Sequence, residues 1–189
     1  MVLSRKYKVL LFVFVFSIFV YEKKGWASSF DGAYQSNCFI DSTDDDVLIS
    51  KVEISNENFN RTWTAFEDKK CETPYLKYIE KYKYRLSGLD WDGTLLEVGY
   101  EPLTDEVAEA LNSIQWCGNS GWSKGVYQIV TGFRCGDRQV AQVGQVLYSK
   151  MREEVSRPGL RFGKASPGYS GKTLERRHQE WSELWHFQL

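Results

Sequence analysis

The chain has 189 residues, a net charge of −1 and 15% aromatic residues. That length predicts one domain after any leader is removed. So balanced a charge argues against nucleic acid as a partner and gives no reason to expect attraction to an anionic membrane surface.

The first element in chain order is a leader. Arg5, Lys6 and Lys8 precede an apolar run from Val9 to Val20, broken only by Ser17. The run is too short for a membrane-spanning helix, which needs about 20 residues, but it suits a secretory h-region. Small residues at Gly25 and Ala27 predict cleavage before Ser28, so residues 1–27 are read as a signal peptide and 28–189 as one mature domain. Loss of the leader removes five basic residues and one acidic residue, leaving 19 basic against 24 acidic over 162 residues. The expected location is periplasmic or secreted, with no transmembrane segment in the mature chain.

Beyond the leader, short stretches of period-two alternation are separated by turn residues, the pattern of an antiparallel all-β protein. Candidate strands cover 32–40, 47–55, 59–66, 75–87, 95–100, 125–133, 140–148 and 159–165. In the third, Phe59, Arg61, Trp63 and Ala65 share one side. In the fourth, Tyr78, Tyr82, Tyr84 and Leu86 oppose Lys81, Lys83 and Arg85, which are read as solvent-facing edge protection. Asp92-Gly93 carries a hairpin-turn signal.

Two segments break the alternation. Residues 104–112 have an N-capping Thr104 and acidic residues in the first turn, which predicts a short helix. Residues 173–185 space Leu174, His178, Trp181 and Trp185 as an apolar helical stripe, which predicts a C-terminal helix packed outside the sheet. About eight strands joined largely by short turns predict an up-and-down meander, and closure into a barrel removes its edges. An eight-stranded barrel is just wide enough inside for side chains or one small ligand.

Four cysteines in an exported chain read first as disulfides. Three pairings are open. The sequential one, Cys38–Cys71 with Cys117–Cys135, closes the smaller loops and is expected, each bridge stabilising by about 3–4 kcal/mol. Trp116-Cys117-Gly118-Asn119-Ser120 resembles a thioredoxin-type W-C-G-x-C motif with serine at the resolving position. The glycines that follow disfavour the helix that would activate such a thiol, so Cys117 is read as structural.

Chemistry-bearing residues are sparse. His178 and His186 are eight residues apart, about two helical turns, and at roughly 12 Å would be too far apart to hold one metal. The carboxylates of residues 41–46 lack the spacing of a calcium loop and read as a solvated turn. No catalytic constellation, metal site or cofactor is expected.

The segments "GAYQSNC" (32–38), "CETP" (71–74), "WCGNSGW" (116–122), "GFRC" (132–135) and "LRFG" (160–163) resemble small exported bacterial proteins of lipocalin-like (calycin) type. Tyr34 stands where the G-x-W start of such a barrel has tryptophan. The resemblance implies a β-barrel, and a C-terminal helix suits it. The expected function is binding of a small, partly apolar or amphipathic ligand, with Trp63, Tyr78, Tyr82, Tyr84 and Tyr100 as pocket candidates. The alternative is an envelope protein–protein interaction or inhibitor protein with a filled barrel, which would use Trp116, Trp122, Trp181 and Trp185, since tryptophan is favoured at binding hot spots. An enzyme built on scattered carboxylates is the third reading.

Overall fold

Alternating inward and outward side chains wind the chain into a closed ring of strands. The computed structural model describes residues 30–41, 45–153 and 159–189. The predicted signal peptide lies outside the described residues, as do residues 42–44 of the acidic turn. In chain order the elements are β1 (Gly32–Ser36), β2 (Phe39–Ile40), β3 (Val47–Ser55), β4 (Asn58–Phe66), β5 (Pro74–Ser87), β6 (Asp90–Pro102), α1 (Asp105–Ser113), β7 (Gln128–Ile129), β8 (Arg134–Cys135), β9 (Arg138–Gln139), β10 (Val146–Glu153), β11 (Gly159–Lys164) and β12 (Glu180–Gln188).

Eight of these strands form the barrel. Taken in order, β1, β3, β4, β5, β6, β10, β11 and β12 each pair antiparallel with the next, and β12 returns to β1. Tyr34 closes the ring, facing Val52 on one side and Gln188 on the other. Closure gives every barrel strand two neighbours, so no long edge is left to template aggregation. Outward Lys81 and Lys83 therefore do not guard an edge. Lys81 pairs with Glu97 on β6 at 2.6 Å, and Lys83 with Glu57 at 3.2 Å.

One half of the interior is packed solid. Phe59 is its hub, with ring centroids at 4.9 Å from Trp91, 5.5 Å from Phe162, 6.1 Å from Tyr82 and 6.3 Å from Tyr84. Val52, Leu95, Met151 and Leu160 complete this core, each fully buried. Edge-to-face ring pairs of this kind each add about 0.5–1.5 kcal/mol beyond their area burial.

The opposite end is covered by the long connection between β6 and β10. It begins with α1, whose N-cap Thr104 hydroxyl accepts from Val107 N at 3.2 Å, as the capping pattern predicts. The Cys117–Cys135 disulfide anchors the connection, and Cys38–Cys71 ties the strand ends nearby, so both expected pairings are present.

Three expectations are corrected. Residues 173–185 are not a helix. Leu174–Arg176 makes a single 3-10 turn, and β12 follows. The segment also alternates through Trp181, Glu183, Trp185 and Phe187, and the barrel supplies β1 and β11 as partners on both sides, so tertiary pairing overrides the helical spacing. The hairpin turn falls at Gly88-Leu89, where Gly88 has φ 61°, and Asp92-Gly93 continues inside β6. The stretch predicted as strands at 125–133 and 140–148 instead folds largely on itself. Gly132 N donates to Ala141 O and Val140 N to Phe133 O, flanking the small β8–β9 hairpin, so β10 starts only at Val146.

Candidate ligand-binding site in the barrel mouth

Above the packed base the inner face of the barrel changes character. Following β4 from base to mouth, the inward residues are Phe59, Arg61, Trp63 and Ala65. Along β5 they are Tyr82, Glu80, Tyr78 and Leu76, paired across the ladder with the β4 set. The middle level is thus polar and the upper level aromatic.

At the upper level a cavity of about 380 Å³ opens beneath the covering connection. Its wall is made by Leu48, Trp63, Leu76, Tyr78 and Tyr100, and its roof by Arg138, Val140 and Ala141 beside the β8–β9 hairpin. Tyr78 and Tyr100 meet with centroids 5.1 Å apart, and Phe39 packs edge-on to Trp63 at 6.2 Å. Trp116 and Trp122 press on the back of Tyr100, each at 6.4 Å. The wall is therefore aromatic and held from behind. Asp46 and Tyr75 stand at the rim, where the Tyr75 hydroxyl donates to Asp46 Oδ1 at 3.5 Å.

The polar level lies one step below along the strands, outside the cavity's own lining. Tyr78 Oη donates to Glu80 Oε1 at 3.2 Å, and burial together with the Glu80 charge pushes the Tyr78 phenol pKa up. Burial raises Tyr82 and Tyr100 in the same way. Across the barrel, Ser50 Oγ and His186 Nε2 lie 2.9 Å apart, and Ser50 N donates to Ser36 Oγ at 2.9 Å. Burial, reinforced by the Arg61 charge, pushes the His186 imidazole down to about 3. It is neutral at ordinary pH. Burial also lowers Arg61, against the opposing charge of Glu80.

Of the five pocket candidates, the structure brings Trp63, Tyr78 and Tyr100 together around this cavity. Tyr82 and Tyr84 sit in the packed base with Phe59 and Trp91; Tyr82 also borders a smaller cavity of about 180 Å³ shared with Glu80, Leu95 and Leu147. The four tryptophans expected at a protein contact do not share one surface. Trp122 is 3% exposed, and its indole N–H donates to Trp116 O and Asn119 O, which removes it from any contact surface. Trp116 is half-buried behind Tyr100. Trp181 and Trp185 lie on the outer face of β12, under Arg152 at 4.6 Å and Arg161 at 4.7 Å respectively. Such stacks cover ring faces that would otherwise meet solvent.

Arg61, Glu80 and His186 were not among the sequence candidates, although alternation carries the signal for two of them. Arg61 is in phase with Phe59 and Trp63, and Glu80 with Tyr78 and Tyr82. Among the described residues, no group of three or more His, Cys, Asp or Glu side chains is placed to hold a metal, and no helix is long and apolar enough to cross a membrane. Compared with known proteins, the chain matches no family model and no curated protein.

Proposed function

We propose that this is an exported, lipocalin-like binding protein that holds a small, partly apolar ligand in the barrel mouth. The observation that carries this reading is the cavity of about 380 Å³, walled by Trp63, Tyr78 and Tyr100, with Asp46, Tyr75 and Arg138 among its polar lining. A concave aromatic wall with a few convergent polar groups is the usual make-up of a small-molecule site. Two disulfides, which persist in oxidising compartments, support export.

The test is a titration with the neutral apolar dye Nile red, read by dye emission and by quenching of tryptophan. Saturable binding is expected in the native protein. Trp63→Ala and Tyr100→Ala weaken it, whereas Trp185→Ala on the outer face leaves it unchanged. Dye binding that is absent, or insensitive to Trp63 and Tyr100, would remove this reading.

A further inference from the structure

The two ends of the acidic turn stand at the mouth of the barrel. Asp41 N donates to Asp46 O at 2.8 Å, and Asp45 N donates to Asp41 O at 3.0 Å. This closure sets Asp41 and Asp46 side by side between β2 and β3, and both line the cavity of about 380 Å³. Each is half-buried. Two carboxylates therefore border a hollow whose wall is aromatic.

The described lining holds a single opposing charge. Arg138 stands exposed on the roof, and its charge acts on the Tyr100 phenol against the effect of burial. One level below the cavity, Glu80 and Arg61 carry opposite charges, and His186 is neutral at ordinary pH. The level below therefore adds no net charge. The mouth is negative.

Carboxylates beside aromatic rings suit an organic cation, because the acid and the negative ring faces both attract it. A metal ion asks for more oxygen ligands, about six to eight for calcium. No group of three or more His, Cys, Asp or Glu side chains is gathered for one among the described residues. Arg61 already lies over the Trp63 ring at 5.4 Å, so a ligand's positive charge belongs at the rim, with Asp41, Asp46 and Tyr75. Its apolar part then lies along Trp63, Tyr78 and Leu76. With one guanidinium against two acids, a single positive charge is balanced and a second is not. A ligand carboxylate at the rim would meet two like charges, which is unfavourable.

We propose that the barrel mouth selects an amphipathic monocation, its ammonium group held at the rim by Asp41 and Asp46 and its apolar tail along the aromatic wall; this rests on the binding reading above. The test compares decyltrimethylammonium, decanol and decanoate by calorimetry and tryptophan emission, with Nile red as the neutral reference. The cation is expected to bind about 5- to 20-fold more tightly than decanol, the range for a half-buried charge contact beside aromatic rings. Decanoate is expected to bind more weakly than decanol. The double variant Asp41→Asn/Asp46→Asn keeps the shape of the rim and removes both charges, so its ratio of cation to decanol affinity falls to near one. Arg138→Gln keeps both acids and raises that ratio, which decides the matter if the double variant does not fold. Glu183→Gln, an exposed carboxylate of β12, leaves the ratio unchanged.

Tighter binding of decanoate than of the cation overturns the assignment, as does a preference for the cation that survives the double variant. If Nile red binds and the cation binds no better than decanol, the charge selection falls and the binding reading stands. If none of the four probes binds, both fall.

Discussion

Asn112 and Trp122 exchange two hydrogen bonds. The Asn112 side-chain amide donates to Trp122 O at 2.8 Å, and Trp122 N donates to Asn112 Oδ1 at 2.8 Å. One side chain at the end of α1 thus imitates a strand partner for the loop that backs Tyr100. Replacing it by alanine leaves a backbone N–H and a carbonyl without partners beside a buried indole. Asn112→Ala is expected to cost about 2–3 kcal/mol, measured by urea unfolding, since each such bond contributes about 1 kcal/mol and orphaned groups cost more. Asn112→Asp keeps the acceptor and loses the donor, so its cost falls between. An unchanged urea midpoint for Asn112→Ala would show that the loop is held by the disulfide alone.

The two disulfides differ in access. Cys117 and Cys135 are 3% and 2% exposed, whereas Cys38 lies at the surface. Thiol exchange needs the attacking thiolate to reach a sulfur. Graded dithiothreitol followed by alkylation and peptide mapping is therefore expected to label Cys38 and Cys71 first. The bridges span 33 and 18 residues, so losing the first costs about 4 kcal/mol and the second about 3 kcal/mol on loop entropy. Labelling of Cys117 before Cys38 would contradict this order.

Strand alternation makes the walls of this barrel legible in the sequence. Residues 47–55, 59–66 and 75–87 alternate cleanly, and the structure pairs them as β3, β4 and β5. Thr104 and the acids after it announced α1. The closing strand was hidden because Leu174, His178, Trp181 and Trp185 fit helical spacing by coincidence. Pairing with the distant β1 and with β11 selects the extended form. The polar level below the cavity is masked in the sequence for another reason. A charged residue in a strand is usually turned to solvent, so residue type argues against an interior Arg61 and Glu80 while the phase of their neighbours puts them there. No local rule reveals that Asp92-Gly93 sits mid-strand, because the competing turn at Gly88-Leu89 is set by the register of β5 on β6.

That mid-strand glycine has a packing role. The Trp91 indole lies across Gly93, and a Cβ there would fall within its ring atoms. The same indole is 4.9 Å from Phe59 at the centre of the base. Gly93→Ala pushes Trp91 off the hub and is expected to destabilise by about 1–3 kcal/mol, the usual cost of overpacking a core. The emission difference between Gly93→Ala and wild type reports on Trp91, because the other tryptophans are common to both. Trp91 emission shifts to longer wavelength when the indole leaves its buried position, and wild-type stability with wild-type emission would refute the close approach.

His186 gives the protein a stability that depends on pH with a definite sign. Its folded pKa is depressed to about 3 by burial and by the Arg61 charge, and His178 shifts in the same direction. In the unfolded chain an imidazole titrates near its ordinary value of about 6.5. Above that pH both states are neutral and His186 adds no slope. As pH falls below it, the unfolded chain takes up a proton that the folded barrel refuses, so stability drops by up to about 1.4 kcal/mol per pH unit for each such histidine. The loss continues until the folded pKa is reached. Urea unfolding of wild type and His186→Gln from about pH 7.5 down to about pH 4 isolates the effect, because carboxylate titration is common to both. The wild-type curve is expected to fall more steeply over this window, with the two running parallel above about pH 7. Parallel curves throughout would mean that water or an anion reaches His186 and lets it protonate in place.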